Sequence, residues 1–237
     1  MKSQKEFVLD QKDTHNPSKH IRMPVCIMVE SSSEMEKYKN ELERSLNKLF
    51  SELQMNDNTR CTVDMALYLY SDCILDSSGF DFSLVSEISE NTSLEVVFER
   101  RIPNLFSCFL EVVKRLRIRK SDYKVDGLSY YQPALVIVST GISSDDKLDK
   151  VKATQVAKEF YYSGACIIPI LIGNNTPDVL EQIAPDGKYY TGSLYEIGKI
   201  FDKLKKSMEN LSQSSSNARE SILAQKVDWE ECIKYFR

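Results

Sequence analysis

Histidine is nearly absent from this chain: two in 237 residues, His15 and His20, both in the polar stretch before residue 21. A zinc site and a Ser–His nucleophile both need more imidazole than that. Glycine is scarce too, eight in all. None falls in a GxxxxGK[ST], GxGxxG or GxSxG pattern, so no phosphate loop, dinucleotide fingerprint or nucleophile elbow is written here. "LIGNN", 171–175, is too short a glycine signal to carry a nucleotide. No run approaches the ~20 apolar residues of a membrane span, and the N-terminus has no signal-peptide core. The cysteines Cys26, Cys61, Cys73, Cys108, Cys166 and Cys232 form no CxxC pair. Cys26, Cys61 and Cys166 sit in apolar, strand-like runs, where a thiol serves as a small hydrophobe. This reads as a reduced, cytoplasmic protein. A net charge of -4 offers no field for nucleic acid or anionic membrane. A local basic stretch, "KRLRIRK" at 114–120, has no interleaved aromatics and reads as a solvated helix face.

What is present is an ordinary globular balance, 42% apolar and 28% charged, and enough chain for one sizeable core. Three unbroken apolar runs, "MPVCIMV" (23–29), "PALVIVSTG" (133–141) and "ACIIPILIG" (165–173), look like strands buried on both faces. Pro169 inside the last argues for an edge or a bulge there. "CTVDMALYLYSD" (61–72) is a further strand, and 73–85 can continue it as an edge hairpin punctuated at Ser77-Ser78-Gly79. Helical spacing runs from Met35 to Leu53, with Ser33 and Glu36 at capping-box separation. It recurs behind Pro103 as far as Leu116, from Asp145 to a stop at Gly164, around "PDVLEQIA", and from about Ser193 to Leu211. Residues 121–132 read as a loop. Alternating strands and helices of this kind predict an α/β fold: a doubly wound, mostly parallel sheet with helices on both faces. Ligands of such sheets bind outside the carboxyl ends of the strands. The loops there are 30–34, about 99–103 and 140–146. The predicted organisation is a polar leader (1–21), one domain (22–212), and a Ser-rich linker with an amphipathic segment (213–237). That last segment, with Trp229, Ile233 and Phe236, either packs back on the domain or docks on a partner.

"RMPVCIMVESSSEM" resembles the first strand and metal loop of von Willebrand factor A (vWA) domains. "QPALVIVSTGISSDD" is similar to the strand and loop that supply that family's later Asp. "IFDKLKKSMENLSQSSS" resembles the end of the bacterial, tellurium-resistance-associated vWA branch. The resemblance spans roughly residues 21–216. It implies a non-catalytic domain for adhesion or complex assembly that binds magnesium through an Asp-x-Ser-x-Ser loop, a Thr and a late Asp. In this sequence Glu30 stands at the first Asp, Ser32 at the first Ser, Glu34 at the second Ser, Ile102 at the Thr (between Arg101 and Pro103) and Thr140 at the late Asp. Only Ser32 is unchanged. A Glu carboxylate overshoots an Asp-sized site by about one bond, which magnesium tolerates poorly. Arg100 and Arg101 stand close enough in the aligned loop to pair with Glu30 or Glu34 in place of a metal.

The expectation is therefore a vWA-like scaffold without catalysis, cofactor or bound metal. Its partner-binding edge is Glu30, Ser32, Glu34, Arg101, Ile102, Thr140 and Asp145. The resemblance implies another protein as partner, a kinase, a phosphatase or a component of a stress or defence complex. No nucleic acid, membrane or small-molecule substrate is expected. The alternative is metal-dependent partner binding through a site rebuilt from Glu30, Ser32, Glu34 and Thr140.

Overall fold

The computed structural model describes residues 21–89, 94–192 and 194–217. Six strands form one sheet: β1 (Met23–Glu30), β2 (Val63–Tyr70), β3 (Ile74–Leu84), β4 (Ala134–Ser139), β5 (Cys166–Ile172) and β6 (Tyr190–Gly192). Their order is β3-β2-β1-β4-β5-β6. Every neighbouring pair is parallel except β2 and β3. Helices α1 (Lys39–Met55), α2 (Asp57–Thr62) and α6 (Leu194–Asn217) lie on one face. Helices α3 (Leu105–Val125), α4 (Lys147–Tyr162) and α5 (Asp178–Glu181) lie on the other.

The double covering explains the unbroken apolar runs. Side chains alternate across a strand, so Val25, Ile27 and Val29 of β1 pack toward α1 and α6, while Cys26 and Met28 pack toward α3 and α4. β4 divides in the same way, Val136 and Val138 against Leu135 and Ile137. With no wet face, neither strand has room for polar alternation. Each fully buried Val, Leu or Ile contributes about 1.5–3 kcal/mol.

Several local expectations are corrected. The Ser33/Glu36 capping box does not form. Ser32 precedes a 3-10 turn over Ser33–Tyr38 without capping it, because its hydroxyl is committed to Glu30. The second strand begins at Val63, and Cys61 lies in α2, which Asn56 caps by accepting from Asn58 N and Thr59 N. Pro103 stands outside α3, one residue before the N-cap Asn104. The expected loop at 121–132 is helical as far as Val125, because Tyr123 is drawn into the core. Gly127, at φ +67°, follows its C-cap Asp126. Ser77-Ser78-Gly79 does not break β3, since the chain reverses at 71–73. Gly79 sits inside the strand at φ +106°, and a Cβ there would lie 2.2 Å from the Leu67 carbonyl oxygen. Pro169 is in a strand paired on both sides, but β6 begins opposite Ile170, so β5 is locally an edge at the proline, where a missing N–H costs no ladder bond. The last helix runs six residues beyond the expected Leu211, to Asn217.

Candidate functional site

The loops after β1, β2 and β4 meet at the carboxyl edge of the sheet. Ser31 N donates to Tyr70 O (2.7 Å) and Glu99 N to Ser31 O (2.9 Å), so the strand beyond Glu30 is pinned between β2 and the 97–103 loop. The Ser31 hydroxyl donates to Val97 O. Asn104 N donates to Ser71 O (2.8 Å) and Ser144 N to Pro103 O (2.9 Å). Asp145 reaches across from the 140–146 loop to accept from Phe106 N (2.8 Å) and Ser107 N (2.9 Å), thereby capping α3 from outside that helix.

Glu30 is the buried centre of this edge, with 0% of its surface exposed. Its parity on β1 turns it toward the face of α3 and α4, as does that of Ser139 on β4. Glu30 Oε1 accepts from Ser32 Oγ (2.5 Å) and Thr140 Oγ1 (2.7 Å). Oε2 accepts from Ser139 Oγ (2.7 Å) and Thr140 N (2.8 Å). Four donors from two strand ends therefore hold one carboxyl group. The fit relies on Gly141, at φ +79°, where a Cβ would meet Leu171 Cδ1 at 2.8 Å and Thr176 O at 2.9 Å. The neighbouring Tyr70 phenol is pushed up from its ordinary pKa by burial first and by Glu30 second.

No protein-family model matches this sequence, and no curated protein does. Solved structures do. A von Willebrand factor type A protein from Catenulispora acidiphila matches over 80% of this chain and 43% of its own, with a TM-score of 0.55 and 11% identity. The fold is that of a von Willebrand factor A domain. The pilus adhesin SpaC from Lactobacillus rhamnosus GG, in an open conformation, matches over 81% of this chain and 30% of its own, with a TM-score of 0.61 and 10% identity. Proximal thread matrix protein 1 from the mussel byssus matches over 80% and 48%, with a TM-score of 0.51 and 14% identity. At such identities the likeness is one of fold alone. The chain spans less than half the length of each of these structures.

A vWA fold raises the question of a divalent ion at this edge. The donor set here is poor for one. Magnesium is held through carboxylates and waters in near-octahedral geometry, whereas the single carboxylate of this cluster is already engaged by Ser32, Ser139 and Thr140. Ile102 has no oxygen to offer and is 61% exposed. Among the described residues no group of three or more His, Cys, Asp or Glu side chains is placed to hold a metal.

The expected arginine replacement is also corrected. Arg101 pairs with Asp72 (2.7 Å) and Glu99 (3.7 Å), not with Glu30 or Glu34. Its guanidinium is exposed, whereas Glu30 lies sealed beneath the loop. The hydrogen bond from Arg101 to Asp72, then the Asp72 charge, raises the arginine's pKa. Of the seven edge residues read from sequence, Glu30, Ser32 and Thr140 are brought together and buried. Asp145 is half-buried at the start of α3. Glu34, Arg101 and Ile102 are exposed. Trp229, Ile233 and Phe236 lie outside the described residues.

Sequence reasoning missed Ser139, and it read Asp64 as a residue capping or edging its strand rather than as a buried, paired carboxyl group. Ser139 is the first polar residue after an apolar run, which is its only local signal. Asp64 is fully buried on β2 and meets Arg119 (2.6 Å) and the Tyr123 hydroxyl of α3. All these bonds go to Oδ2, and Oδ1 is buried without a partner. Burial accordingly pushes the Asp64 carboxyl up, and Tyr123 and Arg119 only partly pull it back. The basic stretch at 114–120 is largely consumed in such contacts: Arg115 with Glu111, Arg117 with Glu159, Lys120 with Gln132.

Proposed function

We propose that the chain is a non-catalytic protein-interaction module, a scaffold or adaptor. In it the Glu30 hydroxyl cage replaces the magnesium site of the vWA fold. The cage carries this reading: a carboxyl group satisfied by four neutral donors makes the edge rigid without a cation. Around it, Val97 (50% exposed) and Ile102 stand out of the surface beside Arg101, a mix of apolar and guanidinium groups suited to a protein partner. SpaC is a pilus adhesin and the mussel protein a thread matrix component, and both descriptions fit a module that holds other macromolecules. Catalysis has little to work with, since both histidines lie before residue 21. The resemblance to the tellurium-resistance-associated branch suggests a bacterial stress-response or defence complex, with a kinase, a phosphatase or a defence component as partner. Five free cysteines among the described residues fit a reducing cytoplasm. No helix among those residues is long and apolar enough to cross a membrane.

The test pairs two measurements. Titration calorimetry with magnesium and with manganese should give no saturable heat. Capture of the partner should be indifferent to chelator and weakened by Ile102→Asp. Tight metal uptake abolished by Glu30→Ala, or a partner released by chelator, would instead establish the rebuilt metal site.

A further inference from the structure

A groove of about 700 Å³ runs along the outer side of α4 toward α5. Lys147, Lys150, Val151, Lys158 and Tyr162 line it from α4, and Gln182 closes it from beyond α5. Helical spacing puts residues 147, 151, 158 and 162 in one row. That row is unusual for a solvent-facing helix: Val151 is 58% exposed and Tyr162 81%, with Leu148 beside them at 59%. Lys147 and Lys158 make no ion pair among the described residues. The one acid in the groove, Glu159, is taken by Arg117 (3.5 Å) and Gln155 (3.1 Å). An apolar strip with an uncompensated ammonium rim suits a short segment that carries large apolar side chains next to carboxylates.

The chain contains such a segment. In "DWEECIKYF", 228–236, Trp229, Ile233 and Phe236 recur at i, i+4 and i+7, and Asp228, Glu230 and Glu231 cluster ahead of the basic Lys234. Geometry permits it to reach the groove. Leu211 of α6 accepts from the Tyr131 hydroxyl just ahead of β4. At the foot of α4, Ala165 N bonds Phe160 O and Cys166 N bonds Pro133 O. The last turns of α6 and the end of α4 therefore meet the same edge of the sheet from opposite faces. Two layers at ~10 Å each separate them, and the linking residues 218–227 can span up to about 36 Å. A tether that short holds its end at an effective concentration of roughly millimolar, well above that of a second copy in dilute solution.

We infer that the groove along α4 is the seat of the chain's own segment 228–236. Trp229, Ile233 and Phe236 lie against Val151 and Tyr162, and Asp228, Glu230 and Glu231 against the lysine rim. The assignment is independent of the partner edge, although α4 starts where the 140–146 loop ends, so the seated segment borders it.

Trp229 is the chain's single tryptophan, so its fluorescence in the full-length protein reports this contact alone. Expected are a blue-shifted emission and weak quenching by acrylamide. Val151→Asp and Lys158→Glu, both at exposed positions, should each shift the emission to the red and raise the quenching constant severalfold. The far-ultraviolet circular dichroism of the domain should be kept, and the urea transition should stay cooperative with its midpoint lowered only by the lost contact. About 1 M salt, which shortens the screening length to about 3 Å, should act in the same direction. The emission should not vary with protein concentration, and sedimentation should show a monomer. The assignment is overturned by a solvent-exposed Trp229 in the unmodified chain, or by a shielded one that ignores both substitutions. Shielding that grows with concentration places the segment on a second copy and overturns it equally.

Discussion

At the residue scale the molecule keeps two buried carboxyl groups on the same face of the sheet and treats them oppositely. Glu30 has four donors shared between both oxygens. Thr140→Val removes one of them without changing shape, and it should cost about 1–3 kcal/mol in urea unfolding, whereas Ser143→Ala on the outer loop should cost less. Asp64 has its donors on one oxygen only, and its pKa is raised. Above the ordinary value of 3.8 the folded state therefore holds its proton more tightly than the unfolded chain does. Stability from this group is full below that value and is lost as pH rises through the folded pKa. Arg119→Met should deepen that loss, costing on the order of 3 kcal/mol near neutrality. Asp64→Asn should abolish the slope and rescue Arg119→Met. Unfolding midpoints at about pH 5 and about pH 8 check both signs. Neither environment was legible in the sequence. Glu30 and Ser139 are 109 residues apart and become neighbours only through the register of β1 on β4. Arg101 looked available to Glu30 because sequence proximity to a loop says nothing of burial.

At the element scale, legibility follows how local the cause is. β1, β4 and β5 were visible because two helix layers exclude polar residues from them. The end of α4 was visible because Gly164 takes φ +93°, a conformation that favours glycine. The extent of α3 was not visible, because its last turn is held by Tyr123 on Asp64 of another element. The start of α3 is likewise non-local. Asn104 occupies the N-cap without a side-chain capping bond, its amide being taken by Asp72 O and the Ser144 hydroxyl, and the work falls to Asp145 on a different loop. Asp145→Ala should therefore act as a cap deletion, with a loss of about 1–2 kcal/mol, although it lies 40 residues from the helix start. Amide exchange at Phe106 and Ser107 should speed up in that variant and localise the effect. Exchange unchanged at those two amides would mean that the cap is supplied otherwise.

At the scale of the whole molecule, five of the six strands run parallel, and each parallel pairing waits on a long crossover. The antiparallel β2–β3 ladder alone is closed by a short reversal, at 71–73. Loop closure there costs the least chain entropy, and hairpins form in about 1–10 μs, faster than pairing across distant segments. The edge hairpin is thus the natural starting point from which β1, then β4 and β5, are recruited. Phe80→Leu on β3 should mainly slow refolding, while Ile170→Val on β5 should mainly speed unfolding. Stopped-flow chevron plots separate the two. The strand farthest to one side of the finished sheet would then be among the first parts of it to exist.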